Sequence, residues 1–306
     1  MKVLITGGAG YIGTELVKAL NKKDSVSNII VYDNLWKDNF NIFTHSGINR
    51  KKVQFIKAEI LDSRQLKKAL EGVDVVYHLA AHVDSKLINA NHHLYEQINN
   101  WGTAELTYAI EESKVRRIIN TSSIAVYGNH KSEINNIDFV NPKTYYGTSK
   151  FRGEEHIVRL QDKIDVYNLR IGNVYGYGTS MRMDSVINQF VFDAAFKNRI
   201  KIFGEGSQKR GIVHIDSLIE ILAELTNSEV EAKTYNVVEN NYSILEIADE
   251  LKSLIPEMEM LFVNQHLKLR NLEVRPDKII NQLIMHDRNQ LSTEIKHFLD
   301  HLFLSK

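Results

Sequence analysis

The feature that most constrains the fold is a short apolar run that ends in a glycine-rich turn. "VLIT" (3–6) leads directly into "TGGAGYIG" (6–13), and an amphipathic segment follows. Gly7, Gly10 and Gly13 allow the backbone to turn tightly and to approach a pyrophosphate, whose charge the N-terminus of the following helix stabilises. Glycines also mark plain strand-to-helix turns, so the motif alone indicates only a strand, a loop and a helix.

Further apolar runs alternate with helical periods over the first two-thirds of the chain. The runs are "NIIVYD" (28–33), "VQFIKAE" (53–59), "VDVVYHLA" (73–80), "RIINTSS" (117–123) and "DVYNLRIGNV" (165–174). Such alternation predicts an α/β fold with a parallel sheet that is covered by helices on both faces. After residue 174 the pattern loosens, and "TYNVV" (234–238) returns to it, which indicates a second, smaller region interleaved with the first.

Composition narrows the classes of function. The 306 residues are 43% hydrophobic, which is enough to form a large core, and they contain no cysteine, which excludes disulfides and thiolate chemistry. Lys plus Arg and Asp plus Glu both number 38, so nothing in the net charge favours nucleic acid or an anionic membrane. The N-terminus resembles neither a signal peptide nor a membrane span, and we expect a cytoplasmic protein.

An acidic residue at the end of the second strand refines the expected ligand. Asp33 lies twenty residues beyond Gly13, where a carboxylate can accept both hydroxyls of an adenine ribose. Because it would repel a 2′-phosphate, we expect NAD rather than NADP. The other interpretation is that Asp33 only begins the turn in "YDNL".

A lysine follows two adjacent tyrosines in "YYGTSK" (145–150). On a helix Lys150 lies about 40° around the axis from Tyr146 and about 140° from Tyr145, so Tyr146 is its neighbour. An isolated pair of this kind is also an ordinary helix contact, and the pair acquires meaning only from its context.

That context is a series of motifs in a fixed order. "AEILD" (58–62), "HLAA" (78–81), "QINNWGT" (97–103), "TSSIAVYG" (121–128) and "LRIGNVYG" (169–176) accompany the glycine-rich turn and "YYGTSK". Together they resemble the extended short-chain dehydrogenase/reductase family, in particular its NAD-dependent nucleotide-sugar epimerase/dehydratase branch, and the resemblance covers nearly the whole chain.

The resemblance implies a Rossmann-type doubly wound parallel sheet with a smaller, interleaved C-terminal substrate-binding region. We expect an NAD-binding domain at 1–173 and 211–238 and a substrate-binding region at 174–210 and 239–306. The expected NAD contacts are Gly7, Gly10, Tyr11, Ile12, Gly13, Asp33, Asn34, Glu59, Ile60, Leu79, Ala80, Ala81, Asn99 and Lys150.

The same resemblance gives Ser123, Tyr146 and Lys150 catalytic roles. Oxidation of a sugar hydroxyl requires a base, and free tyrosine has a pKa of about 10. A nearby Lys150 ammonium and a positive nicotinamide ring favour the phenolate, so we expect them to lower the pKa of Tyr146. Ser123 is expected to hydrogen-bond the same substrate oxygen.

Two apolar residues distinguish between reactions of the branch. Dehydratases of the branch carry an Asp-Glu pair just before "VYG", and decarboxylases carry a Glu there, whereas this chain has Ile124 and Ala125. Neither side chain can transfer a proton. We therefore expect a 4-epimerase resembling the UDP-glucose/galactose enzymes, with a 4-ketoreductase or dehydrogenase as the alternative.

The substrate implied by the resemblance is a nucleotide-diphosphate sugar, bound by Ser123, Asn173, Arg210 and Arg275. A guanidinium binds phosphate oxygens in a bidentate manner, although surface arginines are common. An amino-alcohol dehydrogenase of the family would not need the two arginines. A non-catalytic scaffold or sensor would usually have lost part of the Ser-Tyr-Lys set.

The remaining expectations concern metals and assembly. Histidines occur at 82, 92 and 93, but without carboxylates at ligand spacing, so we expect solvated loop histidines and no metal. Family members pair the "YEQINNWGTAELTYAIEES" helix and the Tyr-Lys helix across a dimer interface, which implies a homodimer. The nucleotide-sugar branch also implies a role in polysaccharide biosynthesis.

Overall fold

A seven-stranded parallel sheet forms the centre of the molecule. The structure is a computed structural model that describes residues 1–44, 47–83, 92–130, 132–264, 270–286 and 290–302. The sheet contains β1 (Lys2–Thr6), β2 (Asn28–Asp33), β3 (Val53–Lys57), β4 (Val75–His78), β5 (Arg117–Ser123), β6 (Asp165–Ile171) and β10 (Thr234–Val237). These strands alternate with helices along the chain, as the sequence predicts, and their bounds agree closely with the apolar runs.

The strand order is β10-β6-β5-β4-β1-β2-β3, and every neighbouring pair is parallel. The order reverses direction between β1 and β4. In doubly wound sheets, ligands bind outside the carboxyl ends of the strands at such a reversal. The predicted Rossmann-type fold is confirmed, and it locates the cleft beside the glycine-rich turn.

Helices cover both faces of this sheet. Their bounds are α1 (Tyr11–Lys22), α2 (Asn41–Thr44), α3 (Ser63–Ala69), α4 (His92–Leu94), a π-helical segment (Tyr95–Trp101), α5 (Gly102–Glu111), a 3₁₀ turn (Ile124–Tyr127), α6 (Tyr145–Val158) and α8 (Ile215–Glu224). One apolar core joins α1 and α8 to one face, and another joins α3, α5 and α6 to the opposite face. Burying apolar strands on both sides is the main stabilising contribution.

The rest of the chain forms two small sheets and their helices. β7 (Asn173–Tyr175), β9 (Lys209–His214) and β11 (Asn240–Ser243) form one sheet, and β8 (Arg199–Phe203) and β12 (Glu259–Val263) form the other. The predicted run 165–174 is two strands, because the chain leaves the large sheet at Gly172. A Cβ added at Gly172 would lie 2.8 Å from the Gly211 carbonyl oxygen.

A third apolar core lies among the remaining helices. It joins α7 (Val186–Lys197), α9 (Ile244–Leu254) and α11 (Leu291–Leu302), while the short α10 (Lys278–Asn281) packs near β10. No helix in the described part of the chain has both the length and the apolar character needed to cross a bilayer.

Candidate active site

The glycine-rich turn after β1 has room for backbone only. Gly7 has a φ of +70°, and a Cβ on it would lie 2.6 Å from the backbone nitrogen of Ala80. A Cβ on Gly13 would lie 2.4 Å from the carbonyl oxygen of Gly7. Gly10 caps α1 without a side chain, so first-turn N–H groups remain available for an anion. This geometry fits the pyrophosphate of a dinucleotide.

Asp33, at the end of β2, holds this turn in place. Its carboxylate accepts hydrogen bonds from the backbone N–H of Ala9 at 3.0 Å and of Leu35 at 2.8 Å. Burial raises the pKa of Asp33, and these two N–H groups oppose that rise. Two carboxylate oxygens have about four acceptor sites, so capacity for ribose hydroxyls remains.

Other residues expected at the cofactor line the same edge of the sheet or support it. Leu79 and Ala80 follow β4 and pack against Gly7, and Ala81 comes next in the chain. Ile60 is buried against Gly102, whose Cβ would lie 2.6 Å from the Ile60 side chain.

At the rim, Asn34 donates to the Glu59 carboxylate at 3.0 Å. The Tyr11 side chain is directed away from the glycine-rich turn, and its hydroxyl donates to the Gly176 carbonyl at 2.6 Å. Ile12 packs against the core beneath α1. Tyr11, Asn34 and Glu59 therefore use polar side-chain atoms in contacts within the protein.

Asn99 is buried in the π-helical segment and fixes the surrounding backbone. Its side chain accepts from the N–H of His82 at 2.7 Å and donates to the carbonyl oxygen of His82 at 3.0 Å. It also donates to the Ser149 hydroxyl at 3.0 Å. Asn99 therefore connects the chain after β4 to the helix that contains Tyr146 and Lys150.

Ser123 and Tyr146 meet across two elements. Ser123 ends β5 and caps the 3₁₀ turn by accepting from the N–H of Ala125 at 3.2 Å. Tyr146 lies in the first turn of α6, which is capped by Thr144. The two hydroxyl groups are hydrogen-bonded, and the bond stabilises the phenolate form of Tyr146. An acid/base pair of this kind can hold and move the proton of a substrate hydroxyl.

Lys150 is buried on the same helix as Tyr146. Among the residues that the structure describes, no acceptor forms a hydrogen bond with its Nζ. Burial lowers the pKa of Lys150 to about 8, and the charge of Glu154 opposes that decrease. An ammonium has three donors, and at this position they suit the hydroxyls of a cofactor ribose.

The pKa of Tyr146 differs from the expectation. Burial raises it, while the charge of Arg182 and the hydrogen bond from Ser123 lower it, and the net direction is upward. Lys150 is not among the groups that lower it. Arg182, which no motif indicated, is held by a two-point ion pair with Asp184 at 2.8 and 3.2 Å.

Tyr145 has a different environment from its neighbour. Its ring is 59% exposed and lies 3.6 Å, centroid to centroid, from the ring of His92. Most of the loop 82–93 lies outside the described residues. In the described part of the chain, no three histidine or carboxylate side chains group so as to hold a metal ion.

The predicted substrate residues do not all come together. Asn173 of β7 donates to the Gly211 carbonyl at 3.1 Å, beside Arg210 of β9. Arg210 donates to the carbonyl oxygens of Lys209, at 2.8 Å, and of Arg270. Burial and the charge of Arg270 lower the pKa of Arg210 to about 10.

Arg275 makes a different contact. It pairs with Glu133 at 3.1 Å near the surface. Arg270 is thus the cation next to Arg210, and sequence reasoning missed it because the "VRPDK" motif directed attention five residues downstream. Two neighbouring cations suit a diphosphate.

Comparisons with known proteins agree with this geometry. The model of the family described as "NAD dependent epimerase/dehydratase family" matches residues 3–238. An uncharacterized UDP-glucose epimerase, YtcB, of Bacillus subtilis is 30% identical over 78% of this chain and 76% of its own length. The dTDP-D-glucose 4,6-dehydratase of Bos taurus is 30% identical over 84% of this chain and 73% of its own.

Among solved structures, the UDP-glucuronic acid 4-epimerase of Bacillus cereus, in complex with UDP-glucuronic acid and NAD, has a TM-score of 0.87. It is 25% identical, and the match covers 99% of both chains. The extent of the family match, together with the glycine-rich turn and the Ser-Tyr-Lys set, identifies this chain as an enzyme of the NAD-dependent epimerase/dehydratase family.

Proposed function

We propose that this protein is a nucleotide-sugar 4-epimerase that works through a transient 4-keto sugar. The observation that carries the proposal is the Ser123–Tyr146 hydrogen bond next to a buried Lys150. Ile124 and Ala125 support it, because Ile124 is packed in an apolar core and neither residue can supply the extra acid or base that elimination requires.

The proposed division of labour uses the cleft described above. Residues 1–173 and 211–238 bind NAD, and residues 174–210 and 239–306 bind most of the substrate. When bound, NAD would supply reversible hydride transfer at the sugar carbon. The glycine-rich turn would hold its pyrophosphate, Asp33 its adenine ribose and Lys150 its nicotinamide ribose.

Residues of this chain carry out the proton transfer. Tyr146 accepts the proton of the 4-hydroxyl as that carbon is oxidised and gives it back on reduction. Ser123 donates a hydrogen bond to the same oxygen. Because burial raises the pKa of Tyr146, the charge of Arg182 and the hydrogen bond from Ser123, which favour the phenolate, oppose burial when the base is needed.

The nucleotide end is assigned to the paired cations. We propose that Arg210 and Arg270 bind the diphosphate and that Asn173 contacts the sugar-phosphate junction. The ion pair of Arg275 with Glu133 makes Arg275 the weaker candidate for this role. The relatives and the solved neighbour suggest UDP- and dTDP-linked hexoses and UDP-glucuronic acid as first substrates to test.

The proposal also includes the oligomeric state, the pathway and the cellular location. We propose a homodimer formed through the helical face that exposes Trp101 and Tyr108, acting in polysaccharide biosynthesis in the cytoplasm. Light scattering of the purified protein tests the dimer, since a monomer at micromolar concentration would contradict it.

The experiment for the activity uses a panel of UDP-, dTDP-, GDP- and CDP-sugars. Each is incubated with the enzyme with and without added NAD(H), and both epimers and keto products are quantified. Interconversion of an epimer pair without added reductant supports the 4-epimerase. Stoichiometric consumption of NAD(H) would instead identify the ketoreductase or dehydrogenase, and a 4-keto-6-deoxy product would identify a dehydratase.

A further inference from the structure

Glu154 is a buried carboxylate one helical turn beyond Lys150. Four residues on an α-helix correspond to a rise of about 6 Å and an offset of about 40°, so the two side chains share one face of α6. Glu154 is 3% exposed and Lys150 is 5% exposed. A buried charge requires a partner, and Glu154 provides the opposite charge nearest to Lys150 along this face.

The carboxylate of Glu154 is held from two strands of the large sheet. Arg170 of β6 donates from Nη2 at 2.7 Å and from Nε at 3.1 Å. The hydroxyl of Ser122, at the end of β5, donates to Oε1 of Glu154, the oxygen that also accepts from Arg170 Nε. Ser122 immediately precedes Ser123, so Glu154 joins the Tyr146 helix to the Ser123 strand.

The arginine of this pair is itself fixed. Arg170 donates to the Tyr127 hydroxyl at 3.1 Å and lies 5.0 Å from the centre of the Tyr127 ring. Tyr127 in turn donates to Asn236 of β10 at 2.6 Å. The network is buried and connects α6 to three strands, so the carboxylate cannot turn away from Lys150.

Few other charges face Lys150. His78 of β4 is close enough for the lysine charge to act on it, but burial lowers the pKa of His78 to about 3, so the imidazole is neutral. Tyr146 lies on the same helix and is largely protonated. Of the described groups, Glu154 is the one whose charge favours the ammonium form of Lys150.

We propose that Glu154 is a positioning residue that keeps the Lys150 ammonium charged and holds the Tyr146–Lys150 helix against the strand of Ser123. The inference rests on the proposed function in one respect only, namely that the Lys150 charge serves the reaction. Its electrostatic part is a property of the protein alone and can be measured without turnover.

The test measures the ionisation of Lys150 directly. Trace acetic anhydride acetylates only neutral amines, so the pH dependence of labelling at Lys150, read by mass spectrometry, gives its titration midpoint. Glu154→Gln keeps the shape but leaves Arg170 as a buried unpaired cation, which costs stability. The double variant Glu154→Gln with Arg170→Met removes both charges and therefore avoids leaving a buried unpaired cation.

In both variants the midpoint should fall by about one pH unit, the lower end of the effect of an opposite charge at close range. Ser122→Ala, which removes an uncharged partner of Glu154, should keep the wild-type midpoint. A folded double variant with the wild-type midpoint would overturn the proposal. If neither Glu154 variant folds, Glu154 has only a structural role in the core, and the proposal also fails.

Turnover provides the second readout. The alkaline limb of the kcat profile should move to lower pH together with the labelling midpoint, whereas a merely structural loss lowers kcat equally at all pH values. A shifted midpoint in a protein that epimerises no nucleotide sugar would retain the electrostatic role of Glu154 and reject the proposed function.

Discussion

The hydroxyl groups of Tyr146 and Ser123 are joined by a hydrogen bond, although the two residues lie on different elements. Ser123 ends a strand of the large sheet, and Tyr146 begins the helix that packs on it. Because the bond favours the phenolate, it partly offsets the effect of burial on the pKa of Tyr146. This contact makes Tyr146, rather than Tyr145, the acid/base in our proposal.

Tyr146→Phe should reduce turnover by at least about 10²-fold, the usual contribution of a positioned acid or base. Loss of the hydroxyl leaves no group to accept the substrate proton, while the NAD-binding turn is unchanged. The measurement is the epimerisation rate, with NAD affinity followed by fluorescence.

Tyr145→Phe is the matched control for that variant. The Tyr145 ring is mostly exposed and stacks near His92, so its hydroxyl should contribute little. Near-wild-type rates for Tyr146→Phe, or equal losses for the two variants, would rule out our assignment.

Arg270→Gln should raise the KM for the nucleotide sugar by about 10- to 100-fold, corresponding to roughly 1.5–3 kcal/mol for hydrogen bonds to a charged group. Arg210 and Arg270 are neighbouring cations, and the pKa of Arg210 is lowered by burial and by Arg270. Binding of UDP alone, measured by calorimetry, separates nucleotide affinity from catalysis.

Arg275→Gln provides the comparison, because Arg275 pairs with Glu133 at the surface. An exposed ion pair contributes at most about 1 kcal/mol, and UDP affinity should remain close to wild type. If Arg275→Gln weakens UDP binding more than Arg270→Gln does, the "VRPDK" motif identifies the phosphate ligand after all.

Much of the architecture follows from the sequence because the strands of the large sheet are easily recognised as apolar runs. Strands that are buried on both faces read as apolar runs, and "RIINTSS" corresponds to β5 residue for residue. The glycine pattern and Asp33 likewise indicated the cleft, since a turn with no room for Cβ atoms requires glycine. Local chemistry was sufficient for these features.

Long-range partners were not predictable in the same way. The local "VRPDK" motif favoured Arg275 over Arg270, whereas their surroundings depend on which carbonyl and carboxylate groups the folded chain brings near them. Arg182 lies beside Tyr146 only because the loop after β7 returns to the cleft. Glu154, by contrast, carried a usable signal, since it lies four residues after Lys150 on the same helical face.

Gly7→Ala should weaken both folding and NAD binding. The φ of +70° alone costs an L-residue about 1–2 kcal/mol, and the close approach of the Ala80 backbone adds an overpacking cost of about 1–3 kcal/mol. Urea unfolding and NAD titration measure the two effects.

Gly72→Ala is a close control for the backbone term, because Gly72 has a φ of +68° with nothing within 4 Å of the added Cβ. It should lose only the backbone cost and bind NAD normally. Equal NAD affinities in the two alanine variants would mean that the Gly7 turn does not approach the pyrophosphate.

Glu294→Gln should stabilise the protein above neutral pH and not in acid. Burial, with a further contribution from Glu239, raises the pKa of Glu294 to about 7 from its ordinary value of 4.5, although the Tyr175 hydroxyl donates to it. The folded state therefore holds a proton that the unfolded state releases between pH 4.5 and 7, and stability falls as pH rises through that interval.

A neutral glutamine keeps an acceptor for Tyr175 and removes the buried charge, so the gain at pH 8 should be roughly 2 kcal/mol in the free energy of unfolding. At pH 4.5 the variant and the wild type should be equally stable. Asp300→Asn, on the exposed side of the same helix, should show no such pH-dependent gain. Destabilisation of Glu294→Gln at pH 8 would show that the ionised carboxylate, despite its burial, contributes a net favourable interaction to α11.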